Sequence, residues 1–356
     1  MKKTLDFRNN CIKSDASIMY ALEKLDEVKE KILFVLDSED RVVASLTDGD
    51  IRRAILKGVT LSDSAIDFAR FEPLVMHEDD DPDAWDEIKR RKLEAVPIVD
   101  SEKHIVGLYV ESKNQKKTNA TVSLPIVIMA GGKGTRLYPY TKILPKPLIP
   151  IDDIPISERI IRSFADIGCC DFSMIVNYKK NMIKSYYNEN GNNYNIRFYD
   201  EDKPLGTGGG LKLVKDDIKS TFILSNCDIL ILADIAGIVA HHKENKNMAT
   251  MVCSLKNFEI PYGVVHFSSG GDIESMEEKP QMSFFTNTGY YILEKEVFDY
   301  IEDNEKIGMP DILDRMIADG QKVGVYPISE NSWLDMGQFD SMDAMEHRLK
   351  EIECEL

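Results

Sequence analysis

From residue 126 onward, short apolar runs alternate with stretches whose apolar residues recur at helical spacing. The apolar runs are IVIMA (126–130), FSMIV (172–176), TFILSN (221–226), ATMVCSL (249–255) and YGVVHF (262–267). A helical stretch, SERIIRSFADIG, lies between the first two runs, and Gly168 at its end is typical of a helix C-terminus. This alternation predicts an α/β fold, an open sheet with helices on both faces. Such sheets bind ligands outside the carboxyl ends of their strands.

The stretch GGKGTRLYPYTKILPKPL (131–148) follows the first apolar run directly. It fits neither the P-loop, which needs GK followed by Ser or Thr, nor the dinucleotide fingerprint, which needs a third small residue. Its glycines still allow backbone N–H groups to converge on an anion. Arg136 adds a bidentate fork and Lys146 a point charge, and Pro145 and Pro147 predict an extended segment around that lysine. The stretch therefore predicts an anion site, with phosphate as the best candidate.

Charge and cysteine usage narrow the class of protein. The net charge of −17 argues against binding to nucleic acid or to an anionic membrane over a broad surface. The six cysteines show no CxxC pair, which is typical of a reducing compartment. The N-terminus MKKTLDFRNN has no apolar leader region, and no apolar run approaches a membrane span. These features predict a cytoplasmic protein without membrane or nucleic-acid partners.

The first 110 residues contain a weak internal repeat. FVLDSEDRVVASLT (34–47) aligns with PIVDSEKHIVGLYV (97–110), and each copy predicts a strand, an acidic turn and a second strand. An amphipathic helix is predicted before each copy, in SIMYALEKLDEVK (17–29) and DAWDEIKRRK (83–92). The polar stretch ESKNQKKTNATVS then predicts a linker. We expect a front module at 1–115, a linker at 116–124 and a second domain at 125–356.

Two polar features have plain interpretations. In the acidic run EDDDPDAW (78–85), Asp81 is expected to cap a helix that has Pro82 at its first position, because acids are favoured at a helix N-terminus. A metal site in this run is the less favoured alternative. His241 and His242 adjoin each other in a polar helical stretch without a third ligand nearby, so both are expected at the surface.

The glycine-rich stretch closely resembles the signature of sugar-1-phosphate nucleotidyltransferases, also called nucleotide-sugar pyrophosphorylases. Further pieces agree in order: PLGTGGGL (204–211), SNCDIL (225–230), YGVV (262–265), EEKP (277–280), NTGYYI (287–292) and WLDMG (333–337). The resemblance covers about 124–345 and implies a Rossmann-like open mixed sheet. It also implies that a sugar phosphate oxygen attacks the α-phosphorus of a nucleoside triphosphate in line and expels pyrophosphate. Such a step needs positioning and charge neutralisation more than a protein acid or base.

The resemblance assigns roles to individual residues. It implies that the triphosphate is wrapped by the glycine loop, at Gly131, Gly132, Gly134 and Thr135. Arg136 then holds the leaving pyrophosphate, and Lys146 holds the α-phosphate and the sugar phosphate. The edge of the base is expected at Leu205, Gly206 and Thr207, although a flexible connector would also explain those glycines.

The resemblance also implies a sugar site and a metal site. The sugar residues are Gly263, Glu278, Lys279 and Asn287, of which Glu278 binds hydroxyls, Lys279 reaches the sugar phosphate and Asn287 has a turn residue as its alternative. Mg²⁺ is implied at Asp228 and Asp335, whose alternative roles are in turns or helix caps. Two carboxylates with phosphate oxygens and water suit this hard cation. Cys227 stands where glycine is common in this motif, and its small side chain is expected to be tolerated there.

The front module resembles a tandem CBS (cystathionine-β-synthase-type) module, a common sensor of adenosine nucleotides. ASLTDGDIRRAI (44–55) matches its ribose-phosphate motif, with Thr47 and Asp50 at the Thr and Asp positions. The second repeat departs from the motif at Val110 and Lys113. One regulatory nucleotide at most is therefore expected, and a purely structural or dimerising role is the alternative. CBS pairs commonly dimerise, so the resemblance also implies a homo-oligomer.

The PKPL motif and the front module together narrow the expected reaction to certain substrates. PKPL is more similar to guanylyltransferases than to thymidylyltransferases, and a CBS pair in front resembles the glucosamine-1-phosphate guanylyltransferases of bacterial legionaminic acid synthesis. The expected substrates are thus GTP and α-D-glucosamine 1-phosphate, and the product GDP-glucosamine. Mannose 1-phosphate and heptose 1-phosphate are the alternative sugars. A non-catalytic, nucleotide-sensing regulatory subunit is the alternative of another class.

Overall fold

The structure is a computed structural model that describes residues 2–28, 30–77, 80, 93, 95–110, 121–189 and 194–354. The chain divides into two compact units, residues 1–118 and 119–356. Three predicted segments fall wholly or partly outside the described residues: the helix 83–92, the acidic run 78–85 and the linker 116–124. The predicted domain boundaries stay a prediction.

The first unit contains two four-stranded sheets, ordered β1-β8-β7-β6 and β2-β3-β4-β5. Its described strands and helices are β1 (Lys2–Thr4), β2 (Cys11–Lys13), α1 (Ile18–Glu27), β3 (Ile32–Leu36), β4 (Val42–Thr47), α2 (Asp48–Leu56), β5 (Arg70–Phe71), β6 (Met76–His77), β7 (Ala95–Val99) and β8 (Ile105–Val110). The predicted first helix is confirmed, and the Ser17 side chain accepts a hydrogen bond from the Tyr20 backbone N–H at its start.

The sequence repeat corresponds to two equivalent hairpins. In β3–β4, Ile32 pairs with Thr47, and in β7–β8 Ala95 pairs with Val110 at the aligned position. Both hairpins carry an irregularity before their last pair at the turn. The predicted strand, acidic turn and strand are therefore confirmed in both copies.

The acidic turns are built by the first aspartate of each copy. Asp37 Oδ1 accepts the backbone N–H of Glu39 at 2.9 Å, and Asp100 Oδ1 accepts that of Glu102 at 2.9 Å. This is the local hydrogen bond that favours aspartate in tight turns. The tripeptide Asp-Ser-Glu, which both copies contain, thus forms the same turn in each hairpin.

The second unit is built on a seven-stranded sheet. Its described strands and helices are β9 (Ile126–Ala130), α3 (Tyr140–Ile143), β10 (Pro150–Ile151), β11 (Ile154–Pro155), α4 (Ile156–Ala165), β12 (Asp171–Val176), α5 (Lys180–Glu189), β13 (Asn195–Asp200), α6 (Gly206–Gly209), β14 (Phe222–Asn226), β15 (Ile229–Ile231), α7 (Ile235–Glu244), β16 (Ala249–Glu259), β17 (Val264–Phe267), β18 (Ile273–Glu277), β19 (Gln281–Leu293), α8 (Met309–Ala318), β20 (Val323–Ile328), β21 (Trp333–Asp335) and α9 (Phe339–Cys354). No helix in the described part of the chain is both long and apolar enough to cross a bilayer.

The predicted open mixed α/β sheet is confirmed. The strand order is β13-β12-β9-β14-β19-β16-β20. The first four are parallel, β19 is antiparallel to its neighbours β14 and β16, and β20 is parallel to β16. Short β15 and β21 pair with each other beside this sheet.

Helices cover both faces of this sheet. Along β9, Ile126 and Ile128 belong to one buried apolar cluster, and Val127 and Met129 belong to another. The first cluster includes apolar side chains of α4, α5 and α7, and the second includes those of α8. Alternate residues of a strand point to opposite faces, which is why a continuous apolar run is needed here. Gly168, at φ +100°, follows the end of α4 as predicted.

The apolar run YGVVHF lies outside the main sheet, unlike the other four runs. Within the described residues, its strand β17 pairs with β18 alone, in a separate two-stranded hairpin. β16 and β19 extend past the strands that flank them, and this hairpin is inserted between their far ends. The run contains Gly263 and His266 among its apolar residues, and its strand is largely exposed, unlike the buried strands of the main sheet.

The expectation that both adjacent histidines lie at the surface is wrong. His242 is 1% exposed, with Nδ1 2.8 Å from Thr250 Oγ1 and Nε2 3.1 Å from Glu294 Oε1. His241 is half-buried, and its ring contacts that of Tyr326. Helix α7 packs the face that carries His242 against the sheet, and the sequence alone does not show which of the two histidines this packing covers.

Burial lowers the pKa of His242, against a smaller raising effect of Glu294. A lowered folded-state pKa gives stability that is present above the unfolded value near 6.5 and is lost as pH falls through the folded value. We expect the unfolding free energy to fall on acidification below pH 6.5, by at most about 1.4 kcal/mol per pH unit from this group. In a thermal-unfolding series from pH 8 to pH 5, the His242→Asn variant should lose this part of the slope. The exposed-residue variant His266→Asn is the control and should keep it; an identical slope for His242→Asn would contradict the assignment.

Candidate active site

The glycine loop after β9 packs against the segment that carries Lys146. Gly134 has φ +62°, and its carbonyl accepts the Thr141 hydroxyl at 2.9 Å. A Cβ on Gly134 would lie 2.8 Å from Thr141 Cγ2 and 3.1 Å from Lys146 Cβ. Glycine is therefore required here both for the backbone conformation and for the close approach of the lysine.

The prediction that the prolines keep the Lys146 segment extended is only partly right. Pro145 is extended, with ψ 148°, but Lys146–Leu148 forms a 3₁₀ turn. Leu148 N–H donates to the Pro145 carbonyl at 2.9 Å, and Ile149 N–H donates to that of Lys146 at 3.1 Å. The missing N–H of Pro147 does not disturb this turn because early positions of a helical turn have no intrahelical acceptor.

Lys146 forms an ion pair with Asp228, which lies between β14 and β15. The second predicted metal ligand, Asp335, pairs with Ile229 in the β15–β21 ladder. Met336 N–H donates to the Asp228 carbonyl at 2.8 Å. Two carboxylates from distant parts of the sequence are thus placed on adjacent backbone segments next to the lysine.

The charges of this group interact. The pKa of Asp335 is raised by its burial and by the nearby charge of Asp228, while Lys146 and Arg136 act in the opposite direction. Arg136 is exposed and makes no hydrogen bond or ion pair with any residue that the structure describes. The four predicted charged residues therefore lie in one place, and the guanidinium of Arg136 is available to an anion.

These carboxylates fit a divalent cation. Asp335 is a half-buried acid whose charge is opposed by that of Asp228, so a cation between them would relieve both. Within the described residues there is no group of three or more metal-ligating side chains. Mg²⁺ commonly takes one or two carboxylates and completes its shell with water and substrate phosphate. The pair thus suits magnesium bound together with a nucleotide.

The second glycine-rich segment, 204–211, is a tightly packed turn and not a flexible connector. Gly206 has φ +82°, and a Cβ there would lie 2.6 Å from the Ile307 carbonyl oxygen. The N–H groups of Gly208 and Gly209 donate to that same oxygen at 3.0 and 3.1 Å. The Thr207 hydroxyl accepts the Met309 N–H at 3.2 Å. The glycines therefore allow this segment to contact the start of α8, and the side chain of Thr207 is occupied there.

One buried carboxylate at this site was not predicted. Glu201 follows β13 and is 5% exposed. Its Oε1 accepts the Leu205 N–H at 3.4 Å, and a Cβ on Gly210 would lie 2.7 Å from that oxygen. A Cβ on Gly131 would overlap with its Oε2. Burial raises the pKa of Glu201, against a smaller effect of the Leu205 hydrogen bond. This side chain therefore joins the two glycine segments.

The predicted sugar residues fall into two places. Gly263 and Glu278 flank the hairpin β17–β18, and a Cβ on Gly263 would lie 3.1 Å from Glu278 Oε2. Lys279, at φ +47°, is next to them. Asn287 lies on β19, where its amide donates to the Tyr291 hydroxyl at 2.6 Å. Among the described residues, no hydrogen bond or ion pair joins this group to Lys146 or Asp228.

In the first unit, Thr47 and Asp50 bind each other. They form a capping box at the start of α2, in which the Thr47 hydroxyl accepts the Asp50 N–H at 3.3 Å and Asp50 accepts the Thr47 N–H at 3.0 Å. The buried Asp50 carboxylate also pairs with Arg53 and Arg70. An open pocket of about 450 Å³ lies in the same unit, lined by Cys11, Ile12, Lys13, Asp15, Ala16, Tyr20 and Leu36. Lys113 lies outside the described residues.

Comparison with known proteins agrees with this geometry. The sequence profile of the family described as "Nucleotidyl transferase" matches residues 126–351. The chain is 31% identical to a bifunctional protein GlmU of Methanococcus aeolicus over 65% of this chain and 56% of that protein. It is 34% identical to a mannose-1-phosphate guanyltransferase of Schizosaccharomyces pombe over 60% of each. The chain thus spans less than two thirds of the length of these relatives.

Solved structures show the same fold. HddC from Yersinia pseudotuberculosis superimposes with a TM-score of 0.51 at 23% identity. The match covers 64% of this chain and 99% of that one. At this level of identity the similarity concerns the fold alone.

Proposed function

The chain belongs to the nucleotidyl transferase family, and we propose that it is a sugar-1-phosphate nucleotidyltransferase that uses GTP and α-D-glucosamine 1-phosphate. The products would be GDP-glucosamine and pyrophosphate. One observation supports the nucleotidyl transfer most strongly. Four charged residues lie together beside the glycine loop: Arg136, Lys146, Asp228 and Asp335. A non-catalytic sensing subunit would have no need for all four.

The proposed reaction uses these groups as positioned charges. A sugar phosphate oxygen donates an electron pair to the α-phosphorus, and the bond from that phosphorus to the β-phosphate oxygen breaks in line. Lys146 binds the α-phosphate and the sugar phosphate, and Arg136 binds the departing pyrophosphate. Asp228 and Asp335 would hold Mg²⁺, which neutralises phosphate charge when bound. No protein group has to donate or accept a proton at phosphorus.

The preference for guanine rests on Glu201. An ionised carboxylate only accepts hydrogen bonds, and the N1–H and N2–H₂ groups of guanine are donors. Uracil and thymine lack the exocyclic amine. A carbonyl group of these bases facing the Glu201 carboxylate would pair one acceptor with another, which is unfavourable. Glu201 accepts the Leu205 N–H and lies against Gly210, in the glycine-rich segment where the base edge is expected. The guanine specificity of the S. pombe relative, named a mannose-1-phosphate guanyltransferase, is in line with this proposal.

The structure constrains the identity of the sugar 1-phosphate less than that of the nucleotide. Glu278 is an exposed carboxylate beside Gly263, so it can accept from a hydroxyl or pair with the ammonium of glucosamine. Mannose 1-phosphate and heptose 1-phosphate remain the alternative acceptors. Glucosamine would place the product in legionaminic acid synthesis in the cytoplasm, as the resemblance implies.

We expect Glu201→Gln to lower the preference for GTP. The change keeps the shape but replaces one acceptor oxygen by a donor, so kcat/KM for GTP should fall at least about tenfold, the scale of one unmatched hydrogen-bonding group. The GTP-to-UTP ratio of kcat/KM should fall by a similar factor. Because burial raises the pKa of Glu201, its charged form costs stability above that pKa, and the variant should melt higher than wild type at pH 8, with a smaller difference near pH 4.

The neighbouring exposed Asp202 provides the matched control, and Asp202→Asn should leave both ratio and melting behaviour unchanged. An unchanged GTP-to-UTP ratio in Glu201→Gln would show that the base is selected elsewhere. The nucleotidyltransferase activity itself would be unaffected by that result.

For the first unit we propose a tandem CBS module that binds one regulatory nucleotide and links copies of the chain into a homo-oligomer. Thr47 and Asp50 have the spacing of the ribose-phosphate motif, and exposed Arg53 and Arg70 beside Asp50 could contact a phosphate. Titration calorimetry of the full chain with AMP and with GMP should give at most one site per chain. Asp50→Ala should weaken it at least about tenfold, the cost of one strong polar contact. If neither nucleotide binds, the module is structural only.

A further inference from the structure

The connector 177–179, between β12 and α5, binds the glycine loop and the helix that follows it. The Tyr178 N–H donates to the carbonyl of Gly131, at the start of the loop, at 3.4 Å. The Tyr178 hydroxyl donates to the Thr141 carbonyl of α3 at 3.0 Å. This one residue therefore connects the start of the glycine loop to α3.

Lys179 binds the end of α3. Its ammonium group donates to the carbonyls of Lys142 and Ile143, each at 2.6 Å. It also lies 5.6 Å from the centroid of the Tyr178 ring, within the range of a cation–π contact. The last carbonyls of a helix have no donor within the helix, and a lysine is favourable beside them. Tyr178 and Lys179 together thus bind the last three carbonyls of α3.

Helix α3 buries little apolar surface. Its buried side chain is the polar one of Thr141, while Lys142 is exposed and Ile143 is 73% exposed. The Tyr140 ring is 55% exposed and contacts that of Phe339, with 5.4 Å between the centroids. Because apolar burial contributes little here, the place of this helix depends on its polar contacts.

The backbone of Lys179 is in the left-handed region, at φ +52°. Glycine and asparagine adopt this conformation more readily than lysine does. A residue in such a conformation persists where its surroundings hold it in place. Glycine would suit the backbone at this position better than lysine, but it would lack the ammonium group that binds α3.

The backbone that follows Lys146 is held by a separate, buried contact. The Ser157 hydroxyl donates to the Pro147 carbonyl at 2.7 Å and lies 2.7 Å from the Tyr187 hydroxyl of α5. Ser157 is fully buried, and Tyr187 is 6% exposed. Loss of the Lys179 contacts would therefore release the segment before Lys146 and leave the segment after it in place.

We propose that Lys179 is a positioning residue for the nucleotidyl transfer, acting through α3 on the spacing of Arg136 and Lys146. Helix α3 lies between these two residues in the chain and ends three residues before Lys146. A shift of α3 would change the distance between the two positive charges, and a displacement of about 1 Å at a reacting group can cost about 10²-fold in rate. This inference rests on the proposed function, because it takes Arg136 and Lys146 as the charges that bind the reacting phosphates.

The test compares Lys179→Gly with the matched control Lys246→Gly. Lys246 follows α7, is exposed and has almost the same backbone conformation, at φ +53°. Glycine removes a lysine side chain at each position without straining the backbone, so both variants should melt within about 3 °C of wild type.

Pyrophosphate release under saturating substrates separates the two variants. The kcat of Lys179→Gly should fall at least about tenfold, because the two charges lose their fixed spacing. That of Lys246→Gly should change less than about threefold, as for an exposed charge. Lys179→Arg keeps several donors for the α3 carbonyls and should retain at least about a third of the wild-type kcat. A purely structural role of Lys179 would not lower kcat in a variant that melts like wild type.

Hydrogen exchange of the free enzyme measures the positioning apart from activity. The Lys142 and Leu144 N–H groups bond within the α3 segment and should exchange at least about tenfold faster in Lys179→Gly. The Leu148 N–H, in the turn after Lys146, should exchange as in wild type. Unchanged exchange in α3 would overturn the proposal, and so would an unchanged kcat of Lys179→Gly beside an active wild type. A wild type that releases no pyrophosphate would instead refute the proposed function, and with it the catalytic role of Lys179.

Discussion

The Lys146→Ala variant is expected to lose at least about 10²- to 10³-fold in kcat while remaining folded. Removing one preorganised charge that contacts the reacting phosphates has a cost of roughly 3–4 kcal/mol. Lys146 lies against Gly134 and pairs with Asp228, so its ammonium group is positioned before substrate binds. Arg136→Ala should show a loss of similar size, since its guanidinium is the second positive charge at the site. Pyrophosphate release under saturating substrates measures both.

Lys142→Ala is the matched control for these variants. Lys142 lies in the same glycine-rich stretch, in α3, and is exposed, with its ammonium group 5.3 Å from the centroid of the Tyr138 ring. Its removal changes the net charge by the same amount and should alter kcat less than about threefold, as for an exposed charge. Near-normal turnover of Lys146→Ala would refute the assignment of the charged cluster as the catalytic site.

The Asp228→Asn variant should lose roughly 10²-fold or more in activity, and raised Mg²⁺ should restore part of it. The amide keeps the shape but removes a charge that a hard cation needs. It also removes the ion-pair partner of Lys146 in the free enzyme. Turnover should be measured over a magnesium series and again in excess chelator.

Asp234→Asn is the control for the metal site, because Asp234 is exposed and its side chain makes no cap hydrogen bond at the start of α7. Its activity and magnesium dependence should equal those of wild type. Full wild-type turnover in excess chelator would exclude the two-carboxylate metal site. Unchanged magnesium dependence in Asp228→Asn would assign the metal to other residues.

Much of the site could be predicted because its residues stand next to strands in recognisable order. Lys146, Asp228 and Asp335 come from separate motifs, and the parallel and antiparallel ladders around them bring those motifs to one edge of the sheet. The two hairpins of the first unit were equally predictable, because Asp37 and Asp100 form the same turn through a local hydrogen bond.

The burial of Glu201 and of His242 depends on tertiary packing, which the local sequence does not reveal. Glu201 is acidic and borders a strand, which usually indicates a solvated position. It is buried because Gly131 and Gly210 leave room for its carboxylate, and that room exists only once the two glycine segments meet. His242 is covered for a similar reason, by Thr250 and Glu294 on neighbouring strands.

Pyrophosphate release by the wild-type chain with Mg²⁺ tests the proposed reaction most directly. ATP, GTP, CTP and UTP should each be combined with the 1-phosphates of glucosamine, mannose, glucose and a heptose. We expect release only when both substrates are present. It should be fastest with GTP and glucosamine 1-phosphate, and at least about tenfold faster with GTP than with UTP, the scale expected for one matched hydrogen-bonding group. A different best sugar would revise the acceptor alone. If none of the combinations released pyrophosphate, the proposed nucleotidyltransferase activity of this chain would be wrong.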